Sequence, residues 1–77
     1  MELKTILTDI AKAIVDKPDM VQIDEKVNGD VVLLELHVAP DDMGKVIGRH
    51  GRIAGAIRSV MKAAANSEGK RVTVEIR

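Results

Sequence analysis

The stretch Val46-Ile47-Gly48-Arg49-His50-Gly51-Arg52-Ile53 carries the most suggestive chemistry in the chain. Two glycines bracket an arginine and a histidine, and Lys45 and Arg52 stand just outside them. Glycine reaches backbone angles closed to other residues and lets a second backbone approach closely. A helix beginning near Gly51 directs free backbone N–H groups and the positive end of its dipole into this loop, an arrangement that favours an anion. Arg49, Arg52 and Lys45 add positive charge at the same point, and Ile47 and Ile53 offer an apolar floor beside it. These are the requirements for gripping a phosphodiester backbone while bases lie against aliphatic side chains. A bare glycine-x-x-glycine also occurs wherever two helices meet in a tight turn, so its surroundings have to supply the weight.

The charge distribution supplies part of it. The formal net charge is zero, yet residues 1–44 carry four lysines against ten acids. Residues 45–67 carry Lys45, Arg49, Arg52, Arg58 and Lys62 and no acid at all. Gathering the positive charge into one segment points to a basic face for an anionic partner. Arg58 and Lys62 extend that track, although a solvated helix face also accounts for them.

The composition excludes several chemistries. With no Phe, Trp or Tyr, no aromatic platform exists for stacking bases, which argues against an RRM or OB-type surface. With no cysteine, there is no thiol nucleophile, no disulfide and no thiolate zinc site. His37 and His50 are too scattered to suggest a metal site, and Ser59 and Ser67 lack any local pattern of activation. Asp41 and Asp42 sit together at a helix start, where capping accounts for them. Gly44-Lys45-Val46-Ile47-Gly48 is not a Walker loop, because Arg49-His50 follows where Lys-Ser or Lys-Thr is required. The expectation is a non-catalytic binder without metal or cofactor.

The elements that position the loop can be read from periodicity. Residues 2–16 form an amphipathic helix with Leu3, Ile6, Leu7, Ile10 and Ile14 on one stripe, ended by Pro18. Residues 20–27 form a strand with Val21, Ile23 and Val27 on one face. Asn28-Gly29 marks a hairpin in which both turn positions take positive φ. Residues 31–38 form a second strand whose faces are both partly apolar, the pattern of a strand that is central or partly covered. Pro40-Asp41-Asp42 starts a short helix buried through Met43, Val46 and Ile47 and stopped by Gly48. A longer helix runs from Gly51 or Arg52 to about Asn66, with Ile53, Ile57, Val60, Met61 and Ala64 inward. Residues 71–76 make the last strand. The two-helix crossover returns it parallel to the second. The predicted architecture is one α+β domain over residues 1–77, a three-stranded mixed sheet with three helices on one face. At this length folding buries only about 60% of the surface of the unfolded chain.

With those residues in place, the sequence resembles the KH family. Gly48-Arg49-His50-Gly51 matches the family's glycine-x-x-glycine loop, and Val46-Ile47 and Ile53 match its apolar flanks. The element order is similar to the bacterial type II arrangement. The resemblance spans essentially the whole chain and implies a single-stranded RNA clamp on roughly four nucleotides. It further implies an RNA chaperone or post-transcriptional regulator linked to cell envelope and division, acting as a homodimer or with a larger KH-containing protein. By that resemblance Gly48 and Gly51 shape the loop, Arg49 and His50 face phosphates, and Ile47, Ile53 and Ile57 border the base groove. His50 stands where the family often carries lysine or arginine.

Two other readings stay open. One is a helix-turn-helix module that sets the helix from Gly51 into duplex DNA. The other is a protein-interaction module acting through a dimer. The N-terminal residues do not read as a secretory leader, since Lys4, Asp9 and Lys12 interrupt them. The apolar runs are too short to cross a bilayer. A cytoplasmic protein is expected.

Overall fold

A computed structural model of the chain describes residues 2–77. Helix α1 (Leu3–Ile14) buries Leu3, Leu7 and Ala11, one per turn, as an amphipathic helix must when one stripe meets a core. Pro18–Met20 then form a single turn of 3₁₀ helix. Strands β1 (Gln22–Asn28) and β2 (Val31–His37) follow. After them come the short helix α2 (Met43–Ile47), the long helix α3 (Arg52–Ser67) and strand β3 (Arg71–Ile76). The sheet order is β1-β2-β3, with β1 antiparallel and β3 parallel to the central β2. This is the mixed α+β sheet of a type II KH domain, as the element order predicts.

The core lies between the helices and one face of the sheet. Ile23, Val32, Leu34, Leu36 and Val74 meet Leu3, Leu7 and Ala11 of α1 and Ile57, Met61 and Ala65 of α3. The other face of the sheet carries charge. Lys26 and Arg77 approach the Glu35 carboxylate at 3.6 and 3.2 Å, and His37 pairs with Asp24 at 3.2 Å. Those partners let the outer face meet water, and His37 sits there as an outward strand residue.

Three local expectations need correction. The hairpin turn is Gly29-Asp30, because Asn28 still pairs with Val31. Only Gly29 has positive φ, +63°, the pattern of a two-residue turn with glycine first. Asn28 therefore stays extended and lengthens β1 by one residue.

The inward stripe of α3 is Ala54, Ile57, Met61 and Ala65, with Ile53 and Val60 outside it. Ala65, in the core cluster with the sheet residues, lets the helix settle close to the sheet. That rotation leaves Val60 51% exposed.

Asp42 does not cap α2. It is 1% exposed, and its carboxylate accepts the backbone N–H groups of Asp16 at 3.2 Å and Lys17 at 3.0 Å. It ties the chain leaving α1 to the start of α2, across 26 residues of sequence.

The stripe assignment has a direct consequence for stability. Met61→Ala should cost about 2–4 kcal/mol, the usual range for emptying a buried site. Val60→Ala, made one position away on the exposed side, should cost less than about 1 kcal/mol. Urea unfolding of both variants checks this, and equal losses would contradict the placement.

Candidate nucleic-acid interface

The loop is built from four residues between α2 and α3. Gly48 ends α2 with its N–H donating to Gly44 O at 2.9 Å. Its backbone has φ +74° and ψ 172°, a region essentially restricted to glycine. A Cβ placed there would lie 2.6 Å from Cγ1 of Ile53, so sterics and backbone angle both demand glycine. Arg49, His50 and Gly51 form one tight turn, closed by Gly51 N–H to Gly48 O at 3.1 Å and by Arg52 N–H to Arg49 O. His50 takes φ +59° and Gly51 φ +72°. Histidine is among the few side chains enriched in the left-handed region. Three of the four loop residues therefore have positive φ, which folds the backbone back tightly enough to present Arg49 and His50 to solvent.

The turn opens directly into α3. No side chain caps its amides and no acid stands in its first turn. A 16-residue helix thus presents the positive end of its dipole beside Arg49 and His50. Two of the N–H groups expected to be free, those of Gly51 and Arg52, are spent inside the turn. The anion-attracting character consequently rests on the dipole, the remaining amides and the side chains.

The other predicted residues divide into three groups. Arg52 is exposed at the first position of α3, next to the loop. Ile47 and Ile53 are 38% and 37% exposed, so neither belongs to the core, whereas Ile57 is buried. Ile53 lines an apolar groove between α1 and α3, together with Ile10, Ile14, Ala56, Ile57 and Val60, and Arg52 stands at its rim. Ile47 is not among the residues lining that groove. Lys45 is already engaged, its ammonium donating to the Asp16 carboxylate. That hydrogen bond, with the nearby charges of Asp16 and Asp42, raises the Lys45 pKa above its ordinary value.

Two sets of contacts are not legible in the sequence. Arg58 is not simply a solvated base, because its Nε donates to Val74 O at 3.2 Å and pins α3 to β3. The Asp42 and Asp16 contacts depend on long-range folding and leave no periodic trace. Among the described residues, no group of three or more His, Cys, Asp or Glu gathers as a metal site.

The geometry separates the two glycines by experiment. Gly48→Ala should destabilise the protein by about 2 kcal/mol or more, since strained φ and collision with Ile53 add. Gly51→Ala meets open space and should cost only the left-handed penalty of about 1–2 kcal/mol. Chemical denaturation of both checks the order, and a Gly51 variant worse than the Gly48 variant would contradict it.

Comparison with known proteins extends the picture over the whole chain. The family model described as KhpA/KhpB, KH domain, matches residues 4–76. RNA-binding protein KhpA of Clostridium acetobutylicum is 60% identical over 74 residues, which cover 96% of this chain and 99% of that protein. The protein of the same name from Clostridium perfringens is 54% identical with the same coverage. The one from Aquifex aeolicus is 45% identical over 96% of this chain and 94% of its own length. Among solved structures, Era in complex with MgGDPNP and nucleotides 1506–1542 of 16S ribosomal RNA shares the fold. Its TM-score is 0.68 at 15% identity, over 96% of this chain and 28% of that one. The chain therefore spans under a third of Era and resembles it in fold alone. A glycine-bracketed loop between two helices, a β1-β2-β3 mixed sheet and relatives matched nearly end to end agree, and the chain belongs to the KhpA/KhpB family of KH-domain proteins.

Proposed function

We propose that the protein binds single-stranded RNA without catalysis, gripping phosphates with Gly48–Gly51 and the start of α3. The observation that carries this reading is the loop itself. A backbone with three positive φ values presents Arg49 and His50 at an uncapped, acid-free helix N-terminus, with Arg52 beside them. Ile53 supplies an apolar surface against which a base can lie. The relatives named RNA-binding proteins support the same ligand class. The family resemblance supports a role as an RNA chaperone or post-transcriptional regulator in the cytoplasm, linked to cell envelope and division. No helix among the described residues is long and apolar enough to cross a membrane.

A second reading rests on the groove between α1 and α3. An aliphatic channel lined by Ile10, Ile14, Ile53, Ala56 and Val60 suits a second copy of this chain better than water. Val60→Asp should abolish self-association in sedimentation if the groove seats that copy. A larger KH-containing partner in the same groove would instead appear as a heterodimer lost in the same variant.

Replacing Arg49 and His50 together by Asp tests the RNA reading. Both side chains are exposed and both glycines remain, so stability should shift by less than about 0.5 kcal/mol while RNA binding disappears. With about two to four phosphate contacts, log affinity should fall with log salt at about −0.7 per contact. Affinity should be micromolar, about −8 kcal/mol. Fluorescence anisotropy with a short oligouridylate, and with duplex DNA as competitor, measures the binding, and urea unfolding of the same preparation measures the stability. A folded double variant that binds like the parent would overturn the reading, and displacement by duplex DNA would favour the helix-turn-helix alternative.

A further inference from the structure

We propose that Asp16 is a built-in competitor for nucleic-acid phosphate, holding the Lys45 ammonium until RNA displaces it. This inference rests on the reading of Gly48–Gly51 as a phosphate grip. Five bases occupy residues 45–67. Among the described residues, Lys45 is the one of the five that forms an ion pair. It sits on α2 one residue after Gly44, whose carbonyl accepts the Gly48 N–H, so it lies one helical turn behind the loop.

Asp16 is held beside α2 by the fold. Its own N–H and that of Lys17 donate to the buried Asp42 carboxylate. A second pair, Lys17 with Asp41 at 3.1 Å, closes the same seam. The backbone of Asp16 is thereby fixed, and its carboxylate stays within reach of Lys45. Both partners are exposed, at 42% and 72% of their side chains. An exposed pair of this kind is weak and exchangeable. A lysine ammonium on its flexible stem is a point charge with three donors that can change partner. A lone anion at the loop would meet Arg49, His50 and the helix end, with Lys45 already occupied. A polyanion placing successive phosphates along α2 and the loop could pull Lys45 from Asp16. The pair would then lower affinity for every ligand while favouring those that offer several phosphates.

The test is a double-mutant cycle on the whole chain, using Asp16→Asn, Lys45→Gln and the two combined. Asp19→Asn, another exposed acid just after α1, controls for loss of negative charge. Binding of a short fluorescein-labelled oligouridylate is titrated across salt for each variant. Asp16→Asn should bind about two- to fivefold tighter, the scale of one exposed pair. Its salt slope should stay that of the parent, because Lys45 meets phosphate in both once RNA is bound. The gain should vanish in the Lys45→Gln background and be absent in Asp19→Asn. An unchanged affinity for Asp16→Asn overturns the proposal, as does an equal gain with and without Lys45. If the parent itself shows no salt-dependent binding, the loop reading fails and carries the proposal with it. Salt-dependent parent binding without an Asp16 effect overturns the proposal alone.

Discussion

The Ile53 side chain lies where a Cβ on residue 48 would stand, 2.6 Å from that position at its nearest atom. One close approach fixes how α2 and α3 meet. Because residue 48 has no side chain, the first turn of α3 folds back against the end of α2, and only a four-residue loop joins them. The loop must then take positive φ repeatedly, at Gly48, His50 and Gly51. Arg49 and His50 have no interior to enter and face solvent, while the amide end of α3 opens beside them. The shape of the candidate grip therefore follows from a packing contact that uses no charge.

That contact would have little value if α2 were free to move. A helix of five residues has too few internal hydrogen bonds to hold itself. Two outside supports compensate. Val46 is fully buried, and the Asp42 carboxylate accepts two backbone N–H groups from the segment after α1. A buried carboxylate is costly unless its lone pairs are satisfied, and here two backbone donors satisfy it. The result is a corner in which the end of α1 is tied to α2 by hydrogen bonds, beside a sheet whose far face is occupied by ion pairs.

Much of this architecture was legible in the sequence because it depends on periodicity and local turn chemistry. The stripe of α1, the alternation of β2, Pro40 at a helix start and the paired glycines all speak through spacing alone, and together they gave the element order, the parallel β3 and the family resemblance. The errors share a physical cause. Ile53 and Val60 satisfy a helical period as well as Ala54 and Ala65 do, and only the tertiary packing of α3 decides that the small residues are the buried ones. Asn28-Gly29 carries hairpin chemistry, yet the register of Asn28 against Val31 settles which pair turns. Asp42 looks like any acid at a helix start, and its actual partners lie 25 and 26 residues away. At the candidate site the loop residues are contiguous and were visible together, whereas the engagement of Lys45 by Asp16 required the tertiary fold.

Backbone amide spectra recorded while titrating a short oligouridylate test, residue by residue, the proposal that RNA is held at the junction of α2 and α3. The largest and earliest shifts are expected at Gly48, Arg49, His50, Gly51 and the first turn of α3, with Asp24, Glu35 and His37 on the outer sheet face unmoved. Shifts centred on that outer face, or on Ile10 and Val60 with the loop silent, would contradict it.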